Sequence, residues 1–85
     1  MKVIFHVNFK KRYKKLRNLQ GRIDDRVALF MRDPYHPTLN NHALQGAYRG
    51  LRSINITRDF RAIYALITSE IALFIALDTH GNLYQ

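Results

Sequence analysis

The residues best suited to chemistry are a histidine in the C-terminal stretch and an arginine in the second half of the chain. The stretch IALDTHGNLYQ places His80 directly after the most hydrophobic run. Arg61 stands within the apolar run FRAIYALI, where a buried charge would be costly, so we expect it to face solvent. An imidazole transfers protons near neutral pH, and a guanidinium can bridge two phosphate oxygens. The two residue types favour a site that holds a phosphate chain.

Two more polar side chains are predicted to share this surface. In the run GLRSINIT, two isoleucines alternate with Ser53 and Asn55, which is typical of a half-buried strand. Because the isoleucines are expected to meet the core, Ser53 and Asn55 should lie on the opposite face of the sheet, together with Arg61. We therefore expect a concave, open sheet face that is bordered by the tail DTHGNLY.

The first half of the chain must supply the elements that cover the other face. KVIFHV predicts a strand, and Asn8 is expected to cap the helix that follows it. Gly21 suits the end of that helix. A second helix is predicted to have Asp24 and Asp25 in its first turn. It should end just before Pro34, which disfavours helical geometry in the preceding residue. The aromatic residues expected in the core are Phe9, Tyr13, Phe30 and Phe74.

The second half of the chain reads as strands. DPYHPTLNNHALQGAYRG contains two prolines and two glycines, which predicts a loop or a set of turns. GLRSINIT, FRAIYALI and EIALFIAL then predict three strands joined by short turns, which favours an antiparallel meander. The predicted fold class is α+β with the order β-α-α-β-β-β. Two helices pack on one face of an antiparallel sheet, and residues 1–85 form one domain.

The charge of the chain indicates a polyanionic partner. Fourteen Lys and Arg residues stand against six Asp and Glu among 85 residues, which gives a formal net charge of +8. A field of this sign concentrates polyanions, and phosphate backbones are the commonest of these. We expect contact with nucleic acid.

The composition also excludes several classes of protein. There is no cysteine, which removes disulfides, thiolate nucleophiles and most structural zinc sites. The four histidines are not spaced as a ligand set, so we expect no metal and no cofactor. MKVIFHVNFKK turns basic within its first ten residues or so, which predicts neither a signal peptide nor a membrane span. A cytoplasmic location is the expectation.

A set of ordered motifs resembles the RelE/YafQ group of bacterial toxins from type II toxin–antitoxin systems. The matching pieces are a His-x-Leu-x-Gly segment at His42, an Arg-Ser-Ile-x-Ile-Thr strand from Arg52, an Asp-aromatic pair at Asp59 and a Thr-His-x-x-Leu-aromatic tail from Thr79. The resemblance covers the full chain, although the helical half matches only in pattern. It implies a RelE/ParE-like fold and a ribosome-dependent, metal-independent mRNA endonuclease.

The resemblance also implies residue roles. In the implied reaction the 2′-hydroxyl of the mRNA attacks the adjacent phosphate, which needs a base, an acid and a cation near the phosphorus. His80 matches the general acid or base, and Arg61 matches the group that stabilises the transition state. Asp59 and His42 match groups that share proton transfer or orientation, although Asp59 is also a common turn former and His42 a possible helix cap. Tyr84 matches an aromatic that stacks on a nucleobase.

Further contacts are expected along the strands and on the first helix. The remaining residues assigned to substrate binding are Asn55, Ser53, Arg52 and Phe60. The lysine run of the first helix is either a solvated face or a binding surface for ribosomal RNA, and it comprises Lys10, Lys11, Lys14 and Lys15.

One departure from the family pattern bears on activity. Many YafQ-like members have histidine at the position of Asn55, and the position of Ser53 can be acidic, whereas neither residue here titrates usefully. Either His80 with Asp59 or His42 suffices, or the activity is weakened. The alternatives are a non-catalytic toxin of the same fold, like the ParE gyrase inhibitors, and an RNA-binding module. The expected partners are an acidic antitoxin, mRNA and the ribosomal A site.

Overall fold

The computed structural model describes residues 1–83, which form one sheet with helices on both of its faces. The strands within these residues are β1 (Lys2–Phe5), β2 (His42–Ala43), β3 (Arg52–Asn55), β4 (Phe60–Thr68) and β5 (Ile71–Thr79). The α-helices are α1 (Val7–Lys15), α2 (Gln20–Arg32) and α3 (His80–Leu83). Three short 3₁₀ turns connect them, at Arg17–Leu19, Pro37–Leu39 and Gly46–Tyr48.

The strand order across the sheet is β1-β5-β4-β3-β2. The predicted α+β class and the antiparallel meander of β3, β4 and β5 are confirmed. Two details differ from the prediction. β1 pairs with β5 in parallel, so the sheet is mixed rather than antiparallel, and the short strand β2 adds an antiparallel edge. The preference for short connections orients only strands that follow one another, so it does not orient β1 against the last strand.

The helix boundaries also differ in part from the prediction. His6, and not Asn8, caps α1, because its ring Nδ1 accepts a hydrogen bond from the backbone N–H of Asn8 at 3.0 Å. Helix α1 already ends at Lys15, and Gly21 lies in the first turn of α2. The two acidic residues expected in that first turn therefore lie one turn later. The predicted end of α2 before Pro34 is confirmed.

Helices α1 and α2 pack against one face of the sheet through an aromatic cluster. We call this the helix-side core. The ring of Phe74 on β5 is fully buried and lies 5.2 Å from the rings of both Phe30 and Tyr64, centroid to centroid. Phe9 of α1 approaches the same ring at 5.8 Å. The predicted core positions Phe9, Phe30 and Phe74 are confirmed, and Tyr13 lies at the rim, where its hydroxyl donates to Asp24 at 2.8 Å.

A β-bulge in β5 shifts the pairing with β4. Ile63 of β4 pairs with Ala76, but the next residue, Tyr64, pairs with Phe74, so Ile75 is an extra residue in β5. As a result, Phe74 and Leu77 both belong to the helix-side core although they are three residues apart, while Ala76 packs on the opposite face. The bulge therefore resets the alternation of side chains before the strand reaches its C-terminal end.

The opposite face carries a second apolar cluster, which the sequence prediction of an open polar face did not include. Its buried members are Leu44, Ile63 and Leu83, and Tyr48 packs against them. Gly46 has a φ of 63°, a left-handed conformation that glycine adopts without steric cost, in the turn that leads to Tyr48. Only the part of this face beyond the second cluster is left for a polar site.

Within residues 1–83, no helix has the length and the apolar character that crossing a bilayer requires.

Candidate functional site

The bend that joins β3 to β4, residues 56–59, is organised by the Arg61 guanidinium. Arg61 Nη1 donates to three backbone carbonyl oxygens, those of Thr57 at 3.1 Å, Arg58 at 2.7 Å and Phe60 at 3.3 Å. The Phe60 backbone N–H in turn donates to the Thr57 hydroxyl at 3.1 Å. These bonds keep the half-buried guanidinium at the bend. A cation is thus fixed at one end of the sheet.

His80 meets the same bend from the end of β5. The backbone N–H of His80 donates to the carbonyl oxygen of Asp59 at 2.7 Å. This bond continues the β4–β5 pairing, in which Arg61 lies opposite Asp78 and Phe60 opposite Thr79. His80 and Asp59 are both exposed. The structure therefore places His80, Asp59 and Arg61 next to one another at one corner of the sheet, which we call the bend site.

Asp78 links the bend site to helix α1. Its Oδ1 accepts hydrogen bonds from Arg12 Nη2 at 3.0 Å, from the Thr79 backbone N–H at 2.7 Å and from Asn82 Nδ2 at 3.2 Å. Partial burial of Asp78 on its own would raise the pKa of this carboxyl. The bonds from Thr79, Asn82 and Arg12, with the positive charge of Arg12, outweigh burial and lower the pKa below its ordinary value of 3.8.

Replacing Asp78 should show how much this carboxylate contributes to the free energy of unfolding, and how that contribution falls with pH. Because its pKa is lowered in the folded state, its contribution is fully present above the unfolded pKa and is lost as pH falls through the folded pKa. We expect Asp78→Asn to lower the free energy of unfolding by about 1 kcal/mol at neutral pH, since the pair is partly exposed. Urea unfolding at pH 7, 4 and 3 should show this difference shrinking below about pH 4. Asp25→Asn, an exposed site on α2, is the control, and a difference that grows in acid would contradict the prediction.

Asn55 lies beside the bend site, whereas Ser53 does not face solvent. Asn55 is opposite Arg61 in the β3–β4 pairing, and its Oδ1 is buried and meets no hydrogen-bond donor among residues 1–83. Ser53 is fully buried, opposite Ile63 in the second apolar cluster. The prediction that Ser53 lies on an open face and contacts substrate is therefore wrong, because the apolar cluster covers its position. Asn55 stays a predicted substrate contact.

Arg52 and Phe60 also lie on the other side of the sheet from the bend site. Arg52 is opposite Tyr64, a member of the helix-side core, and its Nε donates to Asn41 Oδ1 at 3.0 Å. Its guanidinium also lies 5.5 Å from the ring of Tyr35. Phe60 packs against the helix-side core. Their assignment to substrate binding is corrected, since strand alternation sends both away from the face that carries Arg61.

His42 is exposed on β2, at a distance from the bend site. His42 lies opposite Ser53 of β3, and Ser53 lies opposite Ile63 of β4. Ile63 is four residues from Asp59 along the chain. Four residues correspond to about 13 Å along a strand. The His42 ring Nδ1 is within 2.7 Å of the Asn40 carbonyl oxygen. The structure does not bring His42 to His80, and its catalytic role stays a prediction.

The remaining predicted residues lie on α1 and in the tail. The four lysines assigned to ribosomal RNA are all exposed, and they are Lys10, Lys11, Lys14 and Lys15. Arg12 belongs to the same helix and contacts Asp78, so this basic helix adjoins the bend site. Tyr84, predicted to stack on a base, lies outside the described residues. Within residues 1–83 no group of three or more histidine or acidic side chains is placed to hold a metal ion.

Sequence reasoning missed Asp78 and Arg12. The only signal for Asp78 was an acidic residue two positions before His80, and Arg12 was hidden in a run of five basic residues within six positions. Because the two lie 66 residues apart in the chain, no local pattern predicts their contact.

Comparison with solved structures shows that the chain has the fold of the RelE/YafQ-type toxins. No family model matches the sequence, and no curated protein matches it. Among solved structures, YafQ from Escherichia coli strain BL21(DE3) superposes with a TM-score of 0.82 at 20% identity, over 99% of this chain and 98% of that one. The YafQ chain of the E. coli DinJ–YafQ toxin–antitoxin complex gives 0.79 at 20% identity, over 99% and 97%.

A third neighbour extends the class beyond YafQ. The YoeB/ParE toxin from Agrobacterium tumefaciens superposes with a TM-score of 0.77 at 21% identity, over 94% of this chain and 99% of that one. The resemblance to the RelE/YafQ group that the motifs indicated is confirmed by these neighbours, and the chain has their fold.

Proposed function

We propose that this chain is the toxin of a type II toxin–antitoxin system and that it cleaves mRNA on the ribosome without a metal. The observation that carries the proposal is the bend site, where a backbone hydrogen bond joins His80 to Asp59 and the Arg61 guanidinium binds the same bend, in a chain whose fold is like that of YafQ. An imidazole and a carboxylate supply the two proton transfers, and a guanidinium supplies the positive charge that a phosphoryl transfer needs. Its place of action is the cytoplasm, where mRNA is translated.

The proposed reaction exchanges one bond to phosphorus for another and moves two protons. The 2′-oxygen forms a bond to the adjacent phosphorus while its proton passes to a base at the bend site. The bond between phosphorus and the 5′-oxygen breaks, and an acid at the site protonates that oxygen. His80 fills one of these two roles, and Asp59 fills the other. Arg61 stabilises the charge that accumulates on the phosphate oxygens. The products are a 2′,3′-cyclic phosphate and a 5′-hydroxyl.

Asn55 and helix α1 complete the substrate contacts. The Asn55 side chain is opposite Arg61 and can hydrogen-bond a phosphate, but it cannot act as a base. Helix α1 meets the bend site through Arg12, and its exposed lysines would bind the backbone of ribosomal RNA, which supplies affinity without sequence choice. Because Asn55 stands where many YafQ-like toxins have histidine, we expect a slower enzyme than those.

The function is tested by mapping RNA ends. After brief expression of the toxin, primer extension on an abundant mRNA should show discrete cuts within translated codons. With purified ribosomes, in the magnesium that keeps them assembled, the same cuts should appear and should leave a cyclic phosphate and a 5′-hydroxyl, the products of attack by the 2′-hydroxyl. Intact mRNA with broken chromosomal DNA would support the ParE-like alternative instead. Intact mRNA and intact DNA, with RNA binding retained, would support the non-catalytic RNA-binding module.

Arg61→Gln should lower the cleavage rate while the fold is retained. The variant removes the positive charge at the phosphate, and loss of one such stabilising group lowers the rate by about 10²–10³-fold. Ribosome-programmed cleavage of a short mRNA measures the rate, and circular dichroism monitors the fold. Arg22→Gln on the exposed surface of α2 is the charge-matched control. Equal rates for the two variants would remove Arg61 from the mechanism.

We also propose that an acidic antitoxin neutralises this chain. A groove of about 490 Å³ lies between α1 and α2, lined by Phe5, Val27 and Met31, with Lys10 and Lys14 at its edge. An amphipathic segment with acidic flanks fits such a surface, and the net charge of +8 favours it. Co-expression with the product of the neighbouring upstream gene, followed by pull-down, should recover a complex that Met31→Asp weakens. Recovery of the toxin alone would contradict this assignment.

A further inference from the structure

We propose that Asp78 is a positioning residue for His80, and that Arg12 of helix α1 holds Asp78 in place. This inference rests on the proposed function, because it states how the imidazole of the bend site is kept in its working position. Asp78 itself lies outside the chemical step: its charge is engaged by Arg12, and its bonds go to the residues that flank His80.

The hydrogen bonds of Asp78 surround the backbone of His80. Its Oδ1 accepts from the Thr79 backbone N–H, one residue before His80, and from Asn82 Nδ2, two residues after it. The Asn82 backbone N–H also donates to the Thr79 hydroxyl at 3.2 Å. His80 adds its own bond to the Asp59 carbonyl oxygen. The Cα of His80 is therefore fixed from both directions along the chain and from the neighbouring bend.

These hydrogen bonds are needed because α3 is too short to be stable without tertiary contacts. A helix of four residues fixes several backbone dihedrals for very few internal hydrogen bonds, and nucleation of that kind is unfavourable on its own. Two tertiary contacts compensate for this. Leu83 is buried in the second apolar cluster, and the Asp78 carboxylate joins the first turn of α3 to α1. The first contact fixes the far end of α3, and the second fixes the end that carries His80.

Arg12 connects the C-terminal end of β5 to helix α1, which is distant in the sequence. Arg12 lies in the middle of α1, and its Nη2 bonds to the carboxylate across 66 residues of sequence. Helix α1 packs against the sheet through Phe9, which is buried in the helix-side core, so the guanidinium projects from a rigid element. The lowered pKa of Asp78 means that this carboxylate stays charged in the neutral range and keeps the pair intact.

The test compares three single variants, and the double variant of Arg12→Ala with Asp78→Ala, with the wild type. Asp78→Ala removes every bond at this carboxylate, Asp78→Asn keeps an oxygen acceptor but loses the charge, and Arg12→Ala removes only the link to α1. Each is measured for hydrogen exchange of the His80 amide, and for single-turnover cleavage of a short mRNA on purified ribosomes. The ribosome concentration at half-maximal rate is recorded separately. Asp25→Asn is the control variant.

We expect Asp78→Ala to speed exchange at His80 and to lower the saturating cleavage rate by about 10–100-fold, the cost of a misplacement near 1 Å. The ribosome concentration at half-maximal rate should stay within about twofold, because positioning acts on the chemical step. Asp78→Asn should lose less than Asp78→Ala. Arg12→Ala combined with Asp78→Ala should lose no more than Asp78→Ala alone, because Arg12 acts through Asp78.

Two results would overturn the inference. One is unchanged exchange at His80 in both Asp78 variants, and the other is faster exchange with an unchanged cleavage rate, which would leave Asp78 a purely structural residue. Failure of the proposed function has a different signature, since the wild type itself would then cleave no RNA. Amide exchange still decides in that case whether Asp78 fixes the backbone at His80.

Discussion

Replacing His80 by alanine should reduce ribosome-dependent mRNA cleavage by about 10²–10⁴-fold, the range that a positioned general acid or base contributes. His80 reaches the bend site through a 2.7 Å backbone bond to Asp59, and that bond does not involve its side chain. Alanine therefore removes the imidazole while the backbone that carries it is kept. Primer extension and a single-turnover assay measure the effect.

The matched control is another histidine whose loss leaves the fold intact. His36 accepts a hydrogen bond from the Thr38 backbone N–H at 3.1 Å and so caps the 3₁₀ turn at Pro37–Leu39. His36→Asn preserves such a capping oxygen and removes an imidazole from another part of the surface. Wild-type cleavage by His36→Asn, with almost none by His80→Ala, is the expected pair of results. Comparable cleavage by the two variants would show that the chemistry lies elsewhere.

The second large effect is on stability. Phe74→Ala should lower the free energy of unfolding by about 3–5 kcal/mol, the usual cost of emptying a buried phenylalanine site. The ring is fully buried and contacts the rings of Phe9, Phe30 and Tyr64, so neighbours from both helices and the sheet lose a partner together. Domains of this size are stable by only about 5–15 kcal/mol. Much of the margin would therefore be lost.

Urea unfolding followed by circular dichroism measures this loss. Ile67→Ala is the control, because Ile67 is 56% exposed near the C-terminal end of β4, and surface changes of this kind cost about 0.5 kcal/mol or less. A cost below about 1 kcal/mol for Phe74→Ala would mean that the aromatic cluster is not the centre of the core.

The sequence predicts most of the elements and less of their pairing. Alternation identified β3, β4 and β5, and helical spacing placed Phe9 and Phe30 in the core, because each signal is local. The orientation of β1 and the second apolar cluster depend on contacts between distant segments. Ser53 illustrates the limit: its polarity indicated an open face, but Leu44 and Leu83 arrive from two other parts of the chain and cover that face.

The sequence predicts the part of the site that follows from the pairing of neighbouring strands. A tight bend at TRD and a strand that ends at His80 bring Asp59 and His80 together once β4 and β5 are paired in register. The error over Arg52 came from treating a whole strand as one surface, although neighbouring residues point to opposite faces. The Arg12–Asp78 contact could not be predicted from a sequence pattern, since nothing in the sequence distinguishes Arg12 from the basic residues around it.

The extra residue in β5 makes the length of this strand decisive for the C-terminal stretch. Ile75 changes the phase of the strand, so that the residues after it point to the faces opposite those they would occupy in a regular strand. A deletion of one codon there would turn Asp78 and its neighbours over, however well the rest of the sequence were preserved. A substitution at the same place would leave the facing of those residues unchanged. An alignment that opens a gap there implies a differently facing C-terminal stretch.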